Sequence, residues 1–377
     1  MIEVLVVIFG MIGFFFALVI FHARRSMAYI YCSATISAWE ARLFPEARLR
    51  ELADAPGVVN IFAALDDTDY RQQLAGIQRE GEVDMIEVEN AFRDNSNSRY
   101  LEILKMVPKE RKETIRRVLQ RAEVWDLKAI VTAIHNKTPK EERLKELMPS
   151  PTMPRERLEM LASAENFEQL LEFLKESEYF SVLSEALGEY EERGLIPLLS
   201  AFDRYYYTSL WREVLRVKAQ RSILKSLVGC EIDIVNLKLI LRLKREGVNP
   251  EEIDRYLIRP SHMLTEGMLR AMAVAEDIRL AVDVVSRTPY GKILLEVLPQ
   301  IEAQGLSAAD RVLDEMQLKV FRWLALTKLF SIAPVLSYIR LKENEMKNLR
   351  AIIRLKVDKV EPQKIKETIV KVQKIEF

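Results

Sequence analysis

Apolar residues recur along most of this chain at i, i+3, i+4 and i+7, the spacing of one helix face, and few glycines interrupt them. Alternating apolar and polar positions, the mark of a half-buried strand, are nearly absent, so the pattern predicts an all-α fold. Helix starts are marked in the same way. Asn249-Pro250-Glu251-Glu252 supplies an N-cap, a proline at the first helical position and a glutamate at the third. Thr138-Pro139-Lys140-Glu141 repeats that order, and Ser307-Ala308-Ala309-Asp310 is a weaker version. Three prolines between Leu147 and Pro154 deny their preceding residues helical geometry and predict a linker, with a boundary near 148.

The pattern breaks at the start. Val4 to Phe21 is an unbroken run of eighteen apolar residues, followed by His22, Arg24 and Arg25. That length is just enough to cross a bilayer, and the arginines place its C-terminal end on the cytoplasmic side. A signal peptide fits less well, because Glu3 stands where a basic residue is wanted and no small-x-small cleavage site precedes Arg24. Residues 1–27 are therefore read as a membrane-inserted helix. A working start near Met27 and a buried core helix are the other readings.

Beyond residue 27 the chain repeats itself. Leu52-Ala-Asp-Ala, Leu161-Ala-Ser-Ala and Met272-Ala-Val-Ala each lead eighteen residues on to a tyrosine: Tyr70, Tyr179 and Tyr290. Leu65, Leu174 and Val285 correspond within these windows, as do Phe62, Leu171 and Val282. A hydroxyl falls two residues before each tyrosine, at Thr68, Ser177 and Thr288. A second signature follows in each unit: Asp126-Leu127-Lys128, Asn236-Leu237-Lys238 and Asn348-Leu349-Arg350, with Ile130, Ile240 and Ile352 three residues after the leucine and Pro139, Pro250 and Pro362 further on. Two signatures with one period of about 110 residues predict a triplicated helical unit. The units are read as 28–148, 149–259 and 260–377. Each is too long to be one layer of a solenoid, and three in a ring would form a pseudo-threefold funnel.

These residues resemble the C subunit of the archaeal A-type and bacterial V-type ATPases, called the d subunit in eukaryotes. The resemblance covers about 28–377. It is carried by Tyr29-Ile30-Tyr31 with Ala34, the three tyrosine windows, the two Asn-Leu-basic helices, and Phe330 to Tyr338 running on through Lys342-Glu343-Asn344-Glu345 to Arg354. Thr35 and Ser37 stand where relatives carry arginines, and the apolar start is a second departure. The resemblance implies a non-catalytic, funnel-shaped central-stalk component at the cytoplasmic face of the cell membrane. Its implied partners are the proteolipid ring and the central-shaft subunits, serving ion-driven ATP synthesis or ATP-driven ion transport. The N-terminal helix would add contact with membrane lipid. A membrane-tethered helical scaffold unrelated to rotary ATPases is the alternative that repeat and anchor alone allow.

Composition agrees with a protein that is not an enzyme. Lys+Arg and Asp+Glu balance at 56 each, so no net field points to nucleic acid. Two cysteines, Cys32 and Cys230, are too few for a disulfide framework, and three histidines lack zinc spacing. No phosphate-cradling glycine loop and no dinucleotide fingerprint occurs, so no cofactor or metal is expected. Four aromatics within seven residues, Tyr205, Tyr206, Tyr207 and Trp211, cannot all face the core of one helix. They are candidate anchors for the shaft, against the plainer reading of a core edge. Arg340 and Lys342 open a stretch to Phe377 with eleven basic and six acidic residues, a candidate docking strip against the plainer reading of a solvated face.

Overall fold

The computed structural model describes residues 2–77, 83–147 and 150–372, with most side chains of residues 2–26 outside that description. The described residues are helical throughout, without strands. Seven long helices carry the architecture: α1 (Ile2–Glu40), α2 (Met85–Met106), α3 (Arg121–His135), α4 (Ile196–Arg216), α5 (Arg221–Arg245), α6 (Ser307–Thr327) and α7 (Ala333–Val357). Between them lie groups of helices of one or two turns: Glu46–Asp54 to Arg71–Leu74, Arg155–Ala162 to Tyr179–Leu187, and Glu266–Val274 to Pro289–Glu296.

The long helices meet in a closed order. α3 packs on α4, α5 on α6, and α7 on α2 and α1, so the last long helix returns to the first two. Each group of short helices then covers the C-terminal half of one of the long helices. Phe62, Leu65 and Tyr70 share a core with Leu349 and Ile352 of α7. Met272, Val282 and Tyr290 share one with Leu237 and Ile240 of α5, and Leu161, Leu174 and Tyr179 one with Leu127 and Ile130 of α3. All three signature leucines and all three isoleucines are fully buried, as repeated burial of one helix face requires.

Local start signals are partly realised. Asn249 caps Pro250–Tyr256, accepting from the Glu252 N–H at 2.9 Å. At Thr138 the helix begins one residue later than expected, with Pro139 at the cap and no side-chain capping bond, and Ser307 lies inside α6. Ser150 and Met153 close a backbone turn in the expected linker, while residues 148 and 149 lie outside the described ones.

Among the described residues no helix is long and apolar enough to cross a membrane. The expectation of a membrane-spanning segment over 1–27 therefore draws no support from the fold, most of its side chains lying outside the description. What is described there is exposed: Met11, Phe14, Phe15, Phe16 and Ile20 are 51–69% accessible. Further along α1, Tyr29, Cys32 and Ile36 are buried, so the helix joins the body only from about that point.

One glycine is required by packing. A Cβ on Gly291 would stand 1.9 Å from the Val285 carbonyl oxygen, a backbone atom that cannot rotate away. Gly291→Ala is expected to lower unfolding stability by about 1–3 kcal/mol, the usual cost of overpacking, read from urea denaturation.

Candidate interface: a charged cavity among the long helices

The three repeat tyrosines make the same kind of bond. Tyr179 donates to Glu123 Oε2 of α3 at 2.8 Å, Tyr290 to Asp233 Oδ2 of α5 at 3.3 Å, and Tyr70 to Glu345 Oε2 of α7 at 2.5 Å. All three phenols are held in the neutral form, by burial first and then by nearby anionic groups. The hydroxyls two residues before them also act alike: Thr68, Ser177 and Thr288 donate to the carbonyls of Leu65, Leu174 and Val285 at 2.6–2.8 Å. The basic residue of each second signature reaches the next long-helix pair. Lys128 meets Asp203 of α4 and Lys238 meets Asp314 of α6, both at 2.6 Å, while Arg350 meets Glu89 of α2 at 3.1 Å.

The contact between the last group and the first differs from the other two. There Lys342 Nζ donates to the Tyr70 hydroxyl at 2.8 Å and to Glu345 at 2.9 Å, and Glu345 Oε1 accepts from the Phe44 N–H at 2.7 Å. Lys342 and Glu345 are both buried, and desolvation pulls the lysine pKa below its ordinary range against the attraction of Glu345. Three residues before Glu123 and Asp233, where Lys342 stands before Glu345, the chain has Gln120 and Cys230.

Inside the closed array lies a cavity of about 340 Å³, bordered by Trp125 of α3, Tyr207 of α4, Glu231 of α5, Gln317 of α6 and Arg340 of α7. A smaller space of about 60 Å³ adjoins it through Arg121, Trp125, Glu343 and Met346, and is backed by Tyr100 of α2. All six helices thus contribute to its wall. At its base four charges neutralise each other. Arg121 reaches Glu231 at 3.0 Å and Glu343 at 3.6 Å, while Arg340 binds Glu343 at 2.7 Å and also contacts Glu231. Tyr207 donates to Glu231 at 2.9 Å. Burial raises the pKa of both carboxyls, against the pull of Arg121. Desolvation works against the Arg121 charge, but Glu231 and Glu343 more than offset it. Above this base, Lys238, Lys347 and Arg350 with Asp314 line a rim that is more basic than acidic.

The candidate anchors are distributed unevenly. Tyr206 and Tyr207 are buried, Tyr206 donating to the Val118 carbonyl at 3.0 Å, and Tyr205 and Trp211 are half-buried. Tyr207 and Arg340 border the cavity, Lys342 lies in the Tyr70 contact, and Tyr205 and Trp211 lie away from both. Arg340 and Lys342 are thus paired within the chain, not presented on a solvated strip. Sequence reading assigned no contact to Glu123, Asp233 and Glu345, which fall three residues before Asp126, Asn236 and Asn348 and share their period. It assigned none to Arg121, Glu231 and Glu343 either, two residues earlier still, whose charges differ in sign and so leave no compositional mark.

The family model described as ATP synthase (C/AC39) subunit matches residues 32–368. The chain is 32% identical over 351 residues to the A-type ATP synthase C subunit of Thermococcus gammatolerans, covering 92% of this chain and 91% of that one. It is 28% identical over 344 residues to that of Methanocaldococcus jannaschii, covering 91% and 86%. With that of Thermococcus onnurineus it is 29% identical over 97% of this chain and 95% of the relative, a match that reaches into the N-terminal apolar run.

Replacing Lys342 by Met leaves the buried Glu345 carboxylate without its cation, and the expected loss is about 3–5 kcal/mol. Adding Glu345→Gln to that variant is expected to restore at least half, because the amide oxygen accepts from the Phe44 N–H while the amide nitrogen donates to the Tyr70 hydroxyl oxygen. Urea titration of the two variants checks the order.

Proposed function

Because the chain belongs to the ATP synthase (C/AC39) subunit family, we propose that it is the non-catalytic central-stalk component of an A-type rotary ATP synthase, joining the shaft to the membrane proteolipid ring. The observation that carries this reading is the closed array of six long helices around a charged cavity. A joint between a helical shaft and a ring must be stiff around its circumference and receptive at its centre. The cyclic order α3 on α4, α5 on α6 and α7 on α2 suits the first need, and the cavity with Trp125 and its basic rim suits the second.

Three units over 28–148, 149–259 and 260–377, arranged with pseudo-threefold symmetry, are part of the proposal. The matching tyrosine–carboxylate bonds and the matching basic–acidic pairs support it, since each links one unit to the next and the third to the first. Torque passed through such a ring is carried by backbone and buried polar contacts instead of by one flexible linker. The tip of the shaft occupies the cavity side, and α1 points to the membrane. Its apolar run, with Phe14, Phe15 and Phe16 exposed on the isolated chain, finds in lipid the apolar surroundings that water denies it. On the rotation axis it would turn without shearing against the stator.

Two outcomes are expected. The purified chain neither binds nor hydrolyses ATP, yet membranes lacking it lose coupling between ion flow and ATP turnover; stoichiometric nucleotide binding by calorimetry contradicts the assignment. Deleting residues 2–25 makes the protein extractable by mild salt from membranes that lack the ring, whereas the full chain resists; equal extraction of the two removes α1 as an anchor.

A further inference from the structure

Three loops gather where α1 leaves the body. Residues 107–111 lie between α2 and the helix that follows it, 217–220 between α4 and α5, and 328–332 between α6 and α7. They are bound to one another and to α1. Arg111 Nη2 donates to the Ala219 carbonyl at 2.8 Å and its Nε to the Tyr29 hydroxyl at 3.2 Å. The Ile332 N–H donates to Gln220 Oε1 at 3.0 Å, and Ser33 Oγ donates to the Leu329 carbonyl. The buried groups of this end therefore satisfy each other, and what remains outside is of two kinds.

The first kind is basic. Lys109, Lys218 and Lys328, one from each loop, are exposed, with Arg216 beside the second. Within the three loops Glu110 is the single exposed carboxylate, and the sequence carries no acidic residue from 214 to 230 or from 316 to 342. This imbalance is local, because the chain as a whole is neutral. The second kind is bulky and apolar: Leu215, Leu329 and Phe330 are 43–66% exposed at or beside the loops, next to Met27 and Tyr31 of α1 at 63% each. Trp323 and Leu326, in the last turns of α6 before the third loop, are 48% and 41% exposed as well.

We infer that this three-loop face lies on anionic lipid headgroups, its lysines at the phosphate level and Leu329 and Phe330 in the acyl boundary. Exposed lysines flanking large apolar side chains, with few carboxylates among them, form the chemistry that an anionic lipid surface attracts. The face is continuous with α1, which Tyr29 ties to the first loop and Ser33 to the third, and whose Phe14–Phe16 run is exposed. A spread of one lysine per loop around that helix suits a lipid surface, which offers charge in every direction, better than a single acidic peptide. The inference rests on the membrane-directed reading of α1, and the outcomes of the following experiment separate the two.

Cys32 and Cys230 are both buried, and burial raises both thiol pKa values, to about 12 for Cys230, so a cysteine placed at exposed Phe330 can be labelled selectively. The full chain carrying Phe330→Cys with a polarity-sensitive dye is mixed with vesicles of phosphatidylcholine alone or with about one third phosphatidylglycerol. Flotation reports binding by any route, and the dye reports contact at the face. The dye is expected to shift to the blue on the anionic vesicles only, and the shift is reversed by high salt. The triple substitution Lys109→Gln, Lys218→Gln and Lys328→Gln is expected to weaken that response about a hundredfold, at ~1 kcal/mol for each basic residue at an anionic surface. Flotation without a dye response leaves α1 as the anchor and overturns the inference. A response that needs vesicles containing the proteolipid ring assigns the face to protein and overturns it as well.

Discussion

The contact on which the remaining structure depends is the one between Tyr70, Glu345 and Lys342, because it joins the two ends of the chain's helical body. Adjacent groups elsewhere in the array are connected by backbone, which holds them together at no further enthalpic cost. The α7-to-α2 side has no such connection across 275 residues of sequence. Closure there must come from side chains, and α7 sets Lys342 beside Glu345 so that both bind the Tyr70 hydroxyl, whereas the carboxylates that meet Tyr179 and Tyr290 have no lysine three residues before them. A buried pair adds little stability by itself, but it is costly to break, and so it specifies one closed arrangement. Leu349 and Ile352 pack under it with Phe62 and Leu65, so polar specificity and apolar burial act at the same place.

The cavity follows from that closure. Six helices with apolar faces turned towards the short-helix groups have polar faces left over, and closing the ring turns those faces inward. Buried charges at the meeting point must then be compensated within the chain, which Arg121, Glu231, Arg340 and Glu343 accomplish as a neutral cluster. The cluster makes the base of the cavity stiff and leaves Trp125, half exposed, and the basic rim as the groups that can meet a partner. Stiffness at the base and availability at the rim are what the proposed joint needs.

Much of the fold was legible in the sequence. The helix period, the burial of Leu127, Leu237 and Leu349, and the grouping around Tyr70, Tyr179 and Tyr290 follow from apolar spacing, because burying one face of a helix constrains sequence directly. Polar partners were harder to read. Glu123, Asp233 and Glu345 have the same period as the signatures, but a carboxylate on a helix is so often solvated that periodicity alone did not distinguish them. Arg340 and Lys342 illustrate the converse: their placement in a basic stretch suggested a surface strip, whereas tertiary contacts bury both beside acidic partners. The tyrosine run illustrates it again, since Tyr206 and Tyr207 find their partners in Val118 and Glu231, which no local pattern reveals.

The most direct test of the joint is to ask what touches the cavity in the assembled complex. A photo-crosslinking phenylalanine derivative in place of Trp125, which borders both parts of the cavity, is activated in membranes holding the intact ATP synthase, and the adducts are identified by mass spectrometry. Crosslinks to a component of the central shaft are the predicted result. Adducts confined to catalytic or stator proteins, or no adducts from a fully assembled complex, would contradict it.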